Sequence, residues 1–256
     1  MLMSGSFRRY ILPLWVAAIV LALTMAVRAD DAATQPSAKI RVVLAGDSTT
    51  AVGSGWGPGF KKSFDDQIEI INMARGGRSS KSYIAEGLWK KCLALKPDYV
   101  LIQFGHNDQP GHGTTRETDP DTTYRQFMTQ YVEDARAAGI KPILITPLSR
   151  RQWGADGTIH STLEPNARVV REIAAEKHVP LIDLHAISIE LYNRLGKEGC
   201  DELSPLKKAG AKGSKTPANS DYPQPEAEAP VTQPSAGMAF DGTHLNAKGS
   251  AGMAFT

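Results

Sequence analysis

Residues 39–51 read KIRVVLAGDSTTA: an apolar, β-branched run that stops at Gly46 and passes at once into an acid, a serine and two threonines. A strand of unbroken hydrophobicity is buried on both faces, the condition of a parallel sheet covered by helices. Residues directly after such a strand stand at the carboxyl edge of the sheet, where α/β proteins hold their ligands. Taken alone, Asp47 and Ser48 are also an ordinary helix cap. Whether Ser48 caps or attacks depends on what the other strand ends carry.

Four more runs of this kind follow: IEIINMA (68–74), DYVLIQFG (98–105), KPILITP (141–147) and VPLIDLH (179–185). Between them lie DTTYRQFMTQYVEDARAAG (121–139) and NARVVREIAAEKH (166–178), whose apolar residues recur three and four apart. Strands alternating with amphipathic helices predict an α/β fold, a three-layer α/β/α sandwich around a five-stranded parallel sheet. With 256 residues, 41% hydrophobic and 22% charged, the chain has material for a full core, and disorder of the whole chain is excluded.

The flanks differ from this pattern. Arg8 and Arg9 precede the apolar YILPLWVAAIVLALTMAV, and Val27 and Ala29 are small residues of the type a signal peptidase reads, so residues 1–29 are read as a secretory signal peptide and 30–38 as a linker. The apolar run falls short of the roughly 20 residues of a membrane span, so a secreted or periplasmic protein with no membrane contact after cleavage is expected. Removing the leader takes away three arginines and no acids, which leaves 26 basic residues against 27 acidic ones and moves the formal charge from +2 to −1. That balance gives no footprint for nucleic acid. The strand-and-helix pattern occupies 39–256, interrupted at 203–237 by a Pro-, Ala-, Gly- and Lys-rich stretch read as a low-complexity loop insertion. Cys92 and Cys200 carry no spacing motif, and both a single disulfide and two buried thiols fit them.

The strand ends form a set. Gly46-Asp47-Ser48-Thr49 follows the first run, ARGGRSS (74–80) the second and Gly105-His106-Asn107-Asp108 the third, while Asp241-Gly242-Thr243-His244 lies near the C-terminus. A serine hydroxyl becomes a nucleophile when an imidazole takes its proton, and an acid three residues before the histidine can fix the tautomer that leaves one ring nitrogen for the serine. A tetrahedral intermediate further needs donors aimed at its oxygen. The backbone N–H of Ser48, that of Gly77 and the side-chain amide of Asn107 are the candidates, with Gly76 the alternative to Gly77. No G-x-S-x-G nucleophile elbow occurs. His106, Asp108, Asp241 and His244 have the residue types of a metal site but not the spacing of a zinc motif.

These four blocks resemble the SGNH (GDSL-like) hydrolase superfamily, named for the Ser, Gly, Asn and His they contain. AGDST, GWG (55–57), GGRSSKSY (76–83), EGLW (86–89), FGHND (104–108), TPLSRRQW (146–153) and DGTHLNAKG (241–249) resemble its rhamnogalacturonan acetylesterase branch. The resemblance spans the chain after the leader and implies a flavodoxin-like SGNH fold. It makes Ser48 the nucleophile, His244 and Asp241 the base and its orienter, and Ser48, Gly77 and Asn107 the oxyanion hole. It implies no cofactor and no metal. The implied activity is that of a secreted, monomeric serine esterase that removes acetyl groups from plant cell-wall polysaccharide, rhamnogalacturonan (pectin) first, by an acetyl-serine intermediate. The alternatives are a xylan or general small-ester esterase of the same fold and a catalytically silent carbohydrate-binding domain.

Other residues near the strand ends are given quieter roles. Asp47 is read as a backbone hydrogen-bonding group and His106 as a packed neighbour. Arg78, Lys81, Arg150 and Arg151 form a candidate substrate-binding rim for uronate carboxylates. Trp56 and Trp153 are candidate sugar platforms, and Trp89 is read as helix core. The residues after His244 end in SAGMAFT, a helix-poor stretch in which no closing helix is expected.

Overall fold

A computed structural model of the chain describes residues 39–208, 238–240 and 242–254. The expected leader and linker (1–38) and most of the low-complexity stretch lie outside the described residues. Five strands form one sheet: β1 (Ile40–Gly46), β2 (Ile68–Asn72), β3 (Tyr99–Gln103), β4 (Lys141–Ile145) and β5 (Leu181–Ile182). Their order is β2-β1-β3-β4-β5, and every neighbouring pair is parallel. Leu44 of β1 stands opposite Asn72 of β2 and Leu101 of β3, so the three strands end almost level.

The apolar runs are continuous because both faces of the sheet are covered. Side chains alternate across a strand, and Val43, Ala45, Val100, Ile102 and Leu144 enter one core while Val42, Leu44, Leu101 and Ile145 enter the other. The first core is closed by α2 (Ser80–Ala85), α3 (Leu88–Ala94), α4 (Arg125–Ala137) and α5 (Glu164–Glu176), through residues such as Tyr83, Trp89, Tyr131 and Val170. The second is closed by α1 (Gly57–Lys62), α6 (Leu184–Asp201) and α7 (Ala247–Ala254), with Tyr192, Leu203 and Met253 packed in it. Each fully buried aliphatic side chain stabilises this arrangement by about 1.5–3 kcal/mol. Beyond the sheet, a short antiparallel pair joins β6 (Leu206–Lys208) to β7 (Met238–Phe240). Among the described residues no helix is long and apolar enough to cross a membrane.

Two expectations change in the structure, and one open alternative is decided. The fifth strand is two residues long because Asp183 leaves the sheet to cap α6, its carboxylate accepting the Ala186 N–H and the Thr146 hydroxyl. A helix does form after His244: α7 is built of small residues, and these let it approach α1 so closely that a Cβ on Gly59 would lie 2.1 Å from the Ser250 carbonyl oxygen. The Gly59 N–H donates to Ser250 Oγ across that contact at 2.9 Å. Finally, Cys92 and Cys200 are both buried free thiols, and they belong to the cores on opposite faces of the sheet, which leaves no route to a disulfide.

Candidate active site

The chain leaves β1 for β2 on one side and returns past β1 to β3 on the other, so the crevice at the carboxyl ends of β1 and β3 is the topological switch point where open α/β sheets bind ligands. Ser48 lies two residues beyond β1, Gly76 and Gly77 follow β2, and His106, Asn107 and Asp108 follow β3. The turn that carries Ser48 is tightly determined. Asp47 is fully buried, and its Oδ1 accepts both the N–H and the hydroxyl of Thr49 at 2.8 and 2.7 Å. The Thr50 hydroxyl and the Trp56 indole N–H both donate to Oε1 of the buried Gln103, at 2.6 and 2.7 Å, and tie the turn to β3.

Ser48 itself is half-buried, and its Oγ lies 2.9 Å from Nε2 of His244, 196 residues later in the chain. His244 is brought there by backbone anchors on both sides. The Leu245 N–H donates to the Ser54 carbonyl at 3.0 Å, and the Arg151 guanidinium donates to the carbonyl of His244. The expected orienting acid, Asp241, lies outside the described residues.

Around Ser48 are donors that the protein does not use. Among the described residues, the backbone N–H groups of Ser48, Gly76 and Gly77 have no acceptor. Gly76 is close enough that a Cβ there would lie 3.6 Å from that of Ser48. Gly77 has φ +78°, in a turn closed by the Arg78 N–H on the Arg75 carbonyl at 3.4 Å, a conformation that strains any residue with a Cβ. Asn107 Nδ2 spends one N–H on the Arg78 carbonyl at 3.1 Å, which aims the amide across the crevice. Asp108 joins the two donor segments: it is fully buried and accepts the Ser80 N–H on both oxygens, the Ser80 hydroxyl, and the Thr118 hydroxyl at 3.0 Å. Burial pushes its carboxyl up to about 7 against those donors. Buried tyrosines hold the same loops from beneath, Tyr124 on the Phe104 carbonyl and Tyr131 on the Ser80 carbonyl, both at 2.8 Å.

A hydroxyl on an imidazole, beside unused N–H groups at a switch point, is the layout of acyl transfer. The sequence accords with it: residues 44–206 match the GDSL-like Lipase/Acylhydrolase family. The chain belongs to that family. This GDSL-like hydrolase is therefore a carboxylic ester hydrolase. It is 38% identical over 173 residues to the rhamnogalacturonan acetylesterase RhgT of Bacillus subtilis, covering 64% of this chain and 73% of that protein. It is 32% identical over 194 residues to a rhamnogalacturonan acetylesterase of Emericella nidulans, covering 66% and 78%. In fold it matches the Bacillus subtilis protein YxiM with a TM-score of 0.61 at 22% identity, over 86% of this chain and 55% of that one. A lipase/acylhydrolase from Enterococcus faecalis superposes with a TM-score of 0.55 at 21% identity, over 84% and 91%.

The rim of this GDSL-like hydrolase departs from the expected one. Arg151 is not a rim residue: it is 7% exposed, its guanidinium bonds the Tyr192 hydroxyl at 3.2 Å and lies over that ring, and its own N–H donates to the Gly242 carbonyl at 2.8 Å. It holds the His244 segment from inside. Arg78 is neutralised by Glu86 at 3.0 Å, and Lys81 donates to the Thr114 carbonyl at 2.7 Å. Arg150 does reach the crevice, bonding Gln109, Thr162 at 3.3 Å and the His106 carbonyl at 3.2 Å. Trp56 is 4% exposed with its N–H spent on Gln103, so it is core rather than a sugar platform. Trp153 is half-buried against the same core, and Trp89 is buried, as read.

Two features escaped the sequence reading. Arg116 donates to the His112 carbonyl at 2.9 Å and to the Gly77 carbonyl at 3.4 Å, which puts a cation beside the glycine turn. A lone arginine in a polar loop carries no spacing signal. Asp47 also does more than hold its own turn, for its Oδ2 lies 3.5 Å from Nδ1 of the buried His106. Burial raises the Asp47 carboxyl, but His106 and Thr49 together outweigh it and hold it below its ordinary value. Burial drives His106 the other way, keeping the imidazole neutral at neutral pH. The pair links the turn that carries Ser48 to the residue preceding Asn107.

Proposed function

We propose that this GDSL-like hydrolase is a serine acetylesterase that removes acetyl groups from carbohydrate, with acetylated rhamnogalacturonan as its polymer. The observation that carries the chemistry is Ser48 Oγ at 2.9 Å from His244 Nε2, beside three N–H groups without an acceptor among the described residues. The sugar is supported by relatives at 38% and 32% identity that bear the name rhamnogalacturonan acetylesterase.

In the first half-reaction Ser48 Oγ bonds to the acetyl carbonyl carbon while its proton passes to His244 Nε2. The carbonyl oxygen becomes an oxyanion within reach of the N–H groups of Ser48 and Gly77 and the amide of Asn107. Each such donor supplies about 3–4 kcal/mol to a charge present only in the transition state. As the tetrahedral carbon collapses, His244 returns its proton to the departing sugar oxygen and acetyl-Ser48 remains. Water then attacks that ester, its proton goes to His244, and Ser48 leaves with that proton as acetate is released. Nε2 must begin unprotonated, which places the ring proton on Nδ1, and Asp241 is proposed to accept a hydrogen bond from that Nδ1–H. The leader expected at 1–29 from the sequence supports a protein exported to meet a polymer outside the cell.

The test is acetate release by the purified protein from acetylated rhamnogalacturonan, acetylated xylan and an aryl acetate. The proposal expects release from all three and the highest kcat/KM on rhamnogalacturonan. Release from the aryl acetate alone overturns the carbohydrate assignment.

A further inference from the structure

Most arginines bonded elsewhere on the surface meet a carboxylate: Arg41 with Glu69, Arg125 with Glu172 and Glu176, Arg168 with Asp121 and Glu172, and Arg171 with Glu164 and Asp183. Arg116 and Arg150 do not. Each is partly buried and bonds only neutral groups, and among the described residues no carboxylate lies within ion-pairing distance of either. The acid next to Arg116, Glu117, is spent on the loop itself, accepting the N–H groups of Gly111 and Gly113 at 2.8 and 2.7 Å. The buried Asp47 is the acid that Arg150 feels, and its oxygens face Thr49 and His106.

The two guanidiniums also share one place. Arg116 sits on the carbonyl of Gly77 and Arg150 on that of His106, so they flank the donor groups of the crevice from the ends of β2 and β3. Both act on His112, half-buried, whose imidazole is held below its ordinary value by burial and then by Arg116 and Arg150. Their loop is held in place: Gln109 bridges the Arg150 guanidinium and the Thr162 carbonyl, and the Thr118 N–H returns to the Asp108 carbonyl at 2.9 Å. Two partly buried, pre-positioned guanidiniums that pair with no carboxylate among the described residues are a site for an external planar anion, and Arg suits a carboxylate because its donors match both oxygens.

We propose that Arg116 and Arg150 form a carboxylate-binding subsite that takes the uronate of an acidic sugar adjoining the acetylated one. The proposal deepens the acetylesterase reading and rests on it for the presence of a sugar substrate.

The test compares wild type with Arg116→Gln, Arg150→Gln and a charge control, Lys177→Gln, whose lysine pairs with Glu133 on the helical layer. The first readout is the ratio of kcat/KM on an acetylated uronate-containing oligosaccharide to that on a neutral acetylated xylo-oligosaccharide. The second is the inhibition constant of unacetylated digalacturonate against aryl acetate hydrolysis. Arg116→Gln and Arg150→Gln should each lower the ratio about tenfold, mainly through KM, and weaken digalacturonate by about the same factor, as expected for one lost charge-assisted bond. Lys177→Gln should move neither, and added salt should weaken digalacturonate on wild type. Arg116→Lys keeps the charge and should recover part of the loss, which separates binding from a folding defect. Equal losses on acidic and neutral substrates, or no inhibition of wild type by digalacturonate, overturn the subsite while leaving a carbohydrate acetylesterase. Failure of wild type on both sugars overturns the acetylesterase reading instead, and digalacturonate inhibition of aryl acetate turnover still decides the subsite.

Discussion

Asp108 is the residue whose replacement should report most about how the site is held. It is fully buried, and its oxygens receive the Ser80 N–H, at 3.1 Å to each, and the hydroxyls of Ser80 and Thr118. Asp108→Ala strands three buried donors at about 1–3 kcal/mol each, a sum comparable with the whole stability of a domain, about 5–15 kcal/mol. Asp108→Asn is the informative change. Its oxygen still accepts the two hydroxyls, but its NH₂ now faces the Ser80 N–H, and one frustrated donor costs about 1–3 kcal/mol. With a urea slope of about 3 kcal/mol/M, the unfolding midpoint should fall by about 0.3–1 M.

The pH dependence sets the sign. Folded Asp108 keeps its proton up to about pH 7, because burial outweighs its donors, while the unfolded side chain releases it near its ordinary value of 3.8. The stability tied to that proton is complete below about pH 4 and is lost as pH rises through about 7, whereas Asn titrates nowhere. The gap between wild type and Asp108→Asn should therefore be widest at about pH 4 and narrower at pH 8, as read by tryptophan fluorescence in urea. A gap that widens with pH would mean that Asp108 is ionised and held by its donors. Because Asp108 joins Ser80 to the strand end carrying Asn107, kcat on an aryl acetate should drop more than KM changes.

Asn107→Ala should lower kcat by roughly 10²–10³ with little change in KM, since its amide is asked to meet charge only in the transition state; normal kcat with weakened binding would make it a substrate contact. Arg151→Met removes the donor to Tyr192 and the His244 carbonyl, and should cost about 2–4 kcal/mol in urea unfolding and reduce kcat; full activity at unchanged stability would refute its positioning role. Arg151→Lys should restore little, because an ammonium lacks the fork that reaches both partners. Gly57→Ala would set a Cβ 2.3 Å from Asn72 Nδ2 and from the Thr50 carbonyl oxygen, and a thermal scan should show a loss of at least about 1–3 kcal/mol.

The sheet was legible because a strand buried on both faces cannot hide its composition: β1, β2, β3 and β4 fall inside the apolar runs read for them. β5 was overread because Leu184 continues the apolar pattern while belonging to α6, and only the cap at Asp183 marks the change. The helix after His244 was missed because Gly249, Ser250 and Gly252 are poor helix formers in isolation. Packing decides there, and a Cβ on Gly249 would lie 2.5 Å from the Leu203 carbonyl oxygen. At the site, the meeting of Ser48 with His244 was legible from chemistry and block spacing. Arg150 and Arg151 were not separable, since neighbours in an extended segment point to opposite sides, and the structure sends one to the crevice and the other under His244. Arg116 offered no pattern to read, because its importance comes from the Gly77 carbonyl it meets across 39 residues.

The central claim is that His244 activates Ser48, and the most direct measurement is the site and rate of labelling by a fluorophosphonate, mapped by peptide mass spectrometry. The account predicts a single adduct on Ser48, none in Ser48→Ala, and labelling slowed by orders of magnitude in His244→Ala, because the hydroxyl then has no base at 2.9 Å. An adduct on another residue, or labelling of Ser48 at the same rate without His244, would contradict it.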